Sequence, residues 1–113
     1  MKQELLKPVL FAILLGSSLA YAAAGKVMIT SPMEGAMVGT KDKIVLKFEA
    51  DPGPEGDHLH LNVDGKRVEV IRALKGTTEA GPLSPGKHQL CLAINTKGHV
   101  PTGTEGCVSV TAQ

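Results

Sequence analysis

The sequence predicts an all-β fold, a sandwich of two antiparallel sheets. Three observations carry that expectation. Beyond residue 25 the chain is a succession of short segments in which apolar and polar residues alternate, the period of a half-buried strand. Clusters of Gly and Pro separate these segments at near-regular intervals. After the first two dozen residues no stretch sustains the 3.6-residue period of an amphipathic helix. A chain of 113 residues has room for one domain.

Residues 1–24 read as a secretory signal and residues 25–113 as the exported domain. Lys2 and Lys7 give a positive start, and residues 9–15 form an apolar run. That run is too short to span a membrane, which takes about 20 apolar residues. Ala20-Tyr21-Ala22 and Ala22-Ala23-Ala24 are overlapping small-residue cleavage sites, and no Cys follows the apolar run to take a lipid. The expected location is the periplasm or the cell exterior, without stable membrane insertion. Loss of Lys2, Glu4 and Lys7 leaves a formally neutral mature chain, which has no long-range steering toward charged partners. Aromatic residues make up 3% of the chain and no basic cluster exceeds Lys66-Arg67. A nucleic-acid partner is therefore not expected.

The strands follow in order. Residues 26–30 open the domain, and Ser31-Pro32-Met33-Glu34-Gly35 is turn chemistry. Residues 43–49 alternate, with Ile44, Leu46 and Phe48 on one face; residues 51–56 are a Pro/Gly loop. In residues 58–63 Leu59, Leu61 and Val63 are the apolar set. Asp64-Gly65 is a two-residue hairpin turn, and residues 67–70 return. A looser stretch runs to Pro82. Residues 88–94 and 107–111 are the last two strands. About seven strands at this spacing fit an immunoglobulin- or fibronectin-like sandwich. Leu83-Ser84-Pro85-Gly86-Lys87-His88 has the form of the corner that enters the penultimate strand of such folds. A Tyr usually closes that corner by bonding to backbone. Here His88 takes the position, with the inward parity of Leu90 and Leu92.

Cys91 and Cys107 lie at outward parity on two strands expected to be neighbours. In an exported domain they are expected to form a disulfide. The closed loop of about 16 residues is worth roughly 3 kcal/mol in the chain-entropy model.

His58 and His60 are the most suggestive side chains. At i and i+2 on a strand they share a face, about 7 Å apart at Cα. With a third ligand they can chelate one metal ion. If their strand lies beside residues 88–94, the outer face gathers His58, His60, Asn62, Cys91, Ala93 and Asn95. His99, in the following loop, is then within reach of that face. Copper and zinc are the candidate metals, and the affinity order of divalent ions ranks Cu(II) first. The competing expectation is two solvated polar residues on the wet side of a strand. Met28, Met33 and Met37 add thioethers suited to Cu(I), although Met is ordinarily packing material. Glu55 and Asp57 lie in a polar loop and are expected to be solvated. No nucleophile elbow, zinc-protease helix or phosphate-binding Gly loop is present, so an enzyme is not expected.

Four segments carry a resemblance: Ser31-Pro32-Met33-Glu34-Gly35-Ala36-Met37-Val38, Asp57-His58-Leu59-His60-Leu61-Asn62-Val63-Asp64, Leu83-Ser84-Pro85-Gly86-Lys87-His88-Gln89-Leu90 and His99-Val100-Pro101. In this order they resemble a family of small exported domains of unknown function with a His-rich strand. Leu59 stands where that family has the middle His of a triplet. The opening segment is also similar to the periplasmic copper-resistance sandwich, whose N-terminal His ligand has no counterpart here. The resemblance implies the sandwich and export, and supplies no activity. The leading expectation is a monomeric, non-enzymatic module that binds a protein or small ligand through the His58/His60 face. A copper- or zinc-handling protein using His58, His60 and His99 is the alternative. A structural accessory domain without ligand is the third.

Overall fold

Every alternating segment forms a strand, and two more strands come from segments whose pattern is weak. The structure is a computed structural model that describes residues 25–113. The expected signal and its cleavage sites lie outside the described residues. The strands are β1 (Lys26–Ser31), β2 (Ala36–Val38), β3 (Ile44–Asp51), β4 (His58–Val63), β5 (Lys66–Ile71), β6 (Lys75–Ala80), β7 (Gly86–Asn95) and β8 (Pro101–Ala112). They form a three-stranded sheet, β1-β3-β6, and a five-stranded sheet, β2-β8-β7-β4-β5. The pairs are antiparallel except β2 with β8, which is parallel.

The departures from the expected strands have physical reasons. In β6, Lys-Gly-Thr-Thr-Glu-Ala, only Thr78 and Ala80 turn inward, and neither is large enough to mark a period. Pairing with β3, from Ile44 opposite Ala80 to Glu49 opposite Lys75, makes this segment a strand. β2 exists because the Gly35 N–H donates to the Ser109 carbonyl and the Gln113 N–H donates to the Val38 carbonyl. β8 begins at Pro101, well before Cys107, because its polar first half continues the β7 hairpin.

The core lies between the sheets. Ile44, Leu46 and Phe48 of β3 meet Leu59, Leu61, Leu90, Leu92, Ile94, Val108 and Val110 of the larger sheet. Each fully buried Leu or Ile contributes roughly 1.5–3 kcal/mol by removal from water. Gly106 permits a close approach: a Cβ there would stand 2.7 Å from the Val27 carbonyl oxygen. The two-residue turn of the β4–β5 hairpin has positive φ at both Asp64 (52°) and Gly65 (86°), the pattern of a type I′ turn.

That turn is tied to the corner before β7. The His88 side chain, 12% exposed, directs Nδ1 at Asp64 Oδ2 (2.6 Å) and Nε2 at the Ser84 carbonyl (2.7 Å). The Gln89 N–H donates to Asp64 Oδ1 at 2.8 Å. Both ring nitrogens face acceptors, an arrangement that the imidazolium satisfies with both of its hydrogens. Its hydrogen bond to Asp64 raises its pKa above 6.5. The Gln89 N–H, followed by His88, holds Asp64 below 3.8. The corner His therefore does the work expected of a corner Tyr, through charge as well as hydrogen bonding.

Cys91 and Cys107 stand directly opposite on β7 and β8 and form the disulfide expected from their parity. Reduction should lower the unfolding midpoint by a margin equivalent to about 3 kcal/mol or less, read by thermal denaturation with and without reductant. Two titratable thiols in the denatured, unreduced protein would exclude the bridge.

The His88–Asp64 pair has a defined pH window. The His88 contribution is complete below about pH 6.5 and is lost as pH rises through its raised native value. The Asp64 contribution is present above about pH 3.8 and is lost as pH falls through its lowered native value. The stability difference between the natural protein and His88→Gln should therefore be largest between about pH 4 and 6.5 and shrink by pH 9. Urea denaturation at pH 5.5 and pH 9 measures it, and an equal gap at both would refute the imidazolium.

Candidate metal centre

The centre is assembled by the register of β4 on β7. His58 faces Asn95, His60 faces Ala93 and Asn62 faces Cys91. The alternation that sends Leu59 and Leu61 into the core sends both imidazoles to the outer face. Ala93, across from His60, is too small to fill the space above it. The β7–β8 loop brings His99 against the two rings. The loop is closed by the Thr96 N–H donating to the Val100 carbonyl, the His99 N–H donating to the Thr96 carbonyl and the Val100 N–H donating to Thr96 Oγ1.

The three rings converge on one point. His58 Nε2 and His60 Nε2 are 3.0 Å apart, His58 Nε2 and His99 Nδ1 3.2 Å, and His60 Nε2 and His99 Nδ1 3.1 Å. The solvated-residue expectation is overturned for the pair on β4: His58 is 0% and His60 7% exposed. His99, the candidate third ligand, is exposed but joins them.

Hydrogen bonding alone does not satisfy this triangle. One hydrogen on one nitrogen can serve the other two, and those two then oppose lone pair to lone pair. With no hydrogen, all three do; with two, hydrogens collide. His58 already directs its other nitrogen, Nδ1, at Asp57 Oδ2 at 2.9 Å, so in the neutral ring the hydrogen resides there and Nε2 offers a lone pair. Burial pushes the His60 pKa below 6.5, and its neighbours His58 and Arg67 add to this, which works against a second proton on that ring. A cation removes the lone-pair conflict at all three nitrogens.

The spacing fits a particular coordination. A tetrahedral ion about 2.0–2.1 Å from each nitrogen would set them about 3.3–3.4 Å apart. The observed triangle is nearly equilateral and lies between that and the separation of about 3.0 Å for three facial ligands on an octahedral ion. A square-planar ion with three ring ligands would put one pair about 4 Å apart. The cluster is thus a compact three-nitrogen cap that Zn(II) or Co(II) would fit and a square-planar ion would not, whereas the affinity order by itself favours Cu(II).

Asp57, expected to be solvated, is half-buried against the histidine cluster. It is held by its backbone N–H, which donates to the Asn95 carbonyl at 2.8 Å. Its carboxylate accepts from His58 and, at 3.4 Å, from Arg72 Nη1. The hydrogen bond to His58 holds its pKa below 3.8. Adjacent residues on a strand point to opposite faces, so the sequence spacing argued against this contact. It forms because the strand begins only at His58. Gly56 lets the entering chain turn against Pro52 and Ile94, where a Cβ would overlap both. A carboxylate on the far nitrogen of a ligand His fixes tautomer and ring orientation.

The methionines are not brought to the centre. Met37 pairs with Thr111 near the end of β8, about 30 Å of strand from the loop that carries His99. Met33 lies in the turn before β2, and Met28 is on the other sheet. All three are exposed. The thioether contribution expected from sequence is therefore dropped.

His99 holds φ at 65°, the left-handed region that non-glycine residues rarely adopt. Such strain at a cluster of ligating atoms is retained where the side chain has a task. His99→Gly should leave folding stability unchanged or raise it by up to about 1 kcal/mol, measured by urea denaturation. A loss of more than about 1 kcal/mol would show that the ring supports the fold itself.

No family model matches the chain, and no curated relative matches it either. Among solved structures it is similar to fibronectin(III)-like modules of Clostridium thermocellum CbhA, with 14% identity, 77% of this chain and 96% of that chain covered, and a TM-score of 0.64. It is also similar to a crystal structure of an engineered protein, with 20% identity, 79% of this chain but 20% of that chain covered, and a TM-score of 0.53. At these identities the likeness shows the fold: the chain is a fibronectin-like β-sandwich that carries a three-histidine cluster on its larger sheet.

Proposed function

We propose that the protein is an exported, non-enzymatic β-sandwich module that binds one transition-metal ion, Zn(II)-like in geometry, through His58, His60 and His99. The observation that carries this reading is the triangle of ring nitrogens 3.0–3.2 Å apart, whose lone pairs have no mutually satisfying arrangement without a cation. The Asp57 carboxylate behind His58 supports it as the outer partner that ligand histidines commonly have. Export is supported by the charged and apolar pattern of residues 1–24 and by the disulfide, which persists in oxidising compartments. The resemblance to small exported domains with a His-rich strand points the same way.

Calorimetric titration of the purified protein, prepared without a polyhistidine tag and stripped with chelator, tests the reading. Zn(II) and Co(II) should bind with a stoichiometry of one. His58→Ala, His60→Ala and His99→Gly should each weaken binding by on the order of 100-fold or more. Asp57→Asn, which keeps the shape and removes the charge, should cost about 10–100-fold. Affinity should fall as pH drops below about 6.5, where protons compete for imidazole. Absence of binding tighter than about 0.1 mM, or full affinity in the His99→Gly protein, would refute the assignment.

A further inference from the structure

We infer that the ion at this centre keeps a fourth position open to solvent, occupied by a water whose hydrogen is accepted by Asn95 Oδ1 and which small anions can replace. The inference rests on the metal-binding reading above and specifies what that site presents outward.

The protein supplies three donors. Among the described residues no further imidazole, thiolate or carboxylate lies within 4.8 Å of the three converging nitrogens. Asp57 is engaged on the far side of His58. Three nitrogens in a near-equilateral cap leave a tetrahedral ion one position short. Closed structural zinc sites have four protein ligands, whereas three protein ligands plus water is the arrangement of exchangeable sites.

The open side is identifiable. A cleft lies over the outer face of β4 and β7, bordered by Asn62, Arg67, Asn95 and Glu105. It reaches His60 and His99 but not His58, which stands behind them with no exposure. An ion held by the three rings therefore has solvent on the His60/His99 side.

Asn95 is the second, independent observation. It stands directly opposite His58 on β7 and is 1% exposed. Its Nδ2 donates to the Ala93 carbonyl at 3.2 Å, while its Oδ1 is buried without a hydrogen-bond partner among the described residues. A buried amide oxygen without a donor is costly. In this position the donor that meets it is a protic ligand on the ion. Asn95 is thus a positioning residue for metal-bound water.

The charge of the site sets what competes with that water. Neutral imidazoles leave the full double charge on the ion, and Arg67 and Glu105 at the cleft offset each other. Small monovalent anions are the replacing class. They cannot donate to Oδ1, so Asn95 favours water over them.

Cobalt(II) substitution tests this on the full exported domain. The Co(II) protein should show the intense visible bands of four-coordination. Azide should shift those bands saturably. Electron–nuclear double resonance in H2O against D2O should show a strongly coupled exchangeable proton that azide removes. Asn95→Ala should still bind Co(II) but take azide several-fold more tightly. Failure to bind Co(II) at all would overturn the metal reading and this inference with it. Bound Co(II) whose bands ignore azide, or which lacks the exchangeable proton, would overturn the open position alone. Unchanged azide affinity in a folded Asn95→Ala protein would overturn the role of Asn95. If that variant does not fold, the azide and proton measurements on the natural protein decide the inference.

Discussion

The pairing of β4 with β7 sets both faces of the larger sheet at once. Because side chains alternate strictly, the register that places Leu59 opposite Ile94 and Leu61 opposite Leu92 also places His58 opposite Asn95 and His60 opposite Ala93. Sliding β4 by one residue would drive both imidazoles into the core and expose two leucines. The leucines, each without exposure, therefore hold the centre in register. The placement of His58 and His60 is a by-product of hydrophobic burial on the opposite side of the same strand, which gives it a rigid base.

Two opposite uses of histidine coexist on this scaffold. His88 is surrounded by acceptors, the Asp64 carboxylate and the Ser84 carbonyl, and is stabilised as a cation. His58, His60 and His99 are surrounded by one another. Burial works against a proton on His60, and the converging lone pairs call for a different cation. A fall in pH consequently strengthens the corner tie relative to neutral pH while it weakens a metal centre. The neighbours decide which way His60 and His88 titrate.

The route by which the third ligand arrives also matters. His99 reaches the pair on β4 from a loop whose backbone is held by Thr96 through three hydrogen bonds. The left-handed backbone at His99 lowers the stability of that loop. A glycine would sit there with less strain, so the imidazole is kept against local preference. The disulfide between Cys91 and Cys107 crosses the same β7–β8 hairpin lower down. It limits how far the strands beneath the loop can separate.

The sequence by itself determined the fold class, because alternation, turn residues and cysteine parity are local signals that tertiary context rarely reverses. It also singled out His58 and His60, whose i, i+2 spacing guarantees a shared face, and gave His99 as a candidate third ligand. Strands β2 and β6 escaped it, since three residues carry no period and Thr78 and Ala80 carry too little apolar contrast. Only the tertiary structure decided that the histidine face is buried. Burial depends on the loop that brings His99 against the pair, and no property of residues 58–63 encodes it. The same holds for Asp57, whose contact with His58 contradicts strand parity and depends on Gly56 turning the chain. Asn95 is the extreme case. Its residue type is unremarkable in sequence, and what sets it apart is one buried oxygen without a hydrogen-bond partner among the described residues. Separation along the chain carries no information about convergence in space unless a period or a turn links the two positions, and none links residue 99 to residue 58.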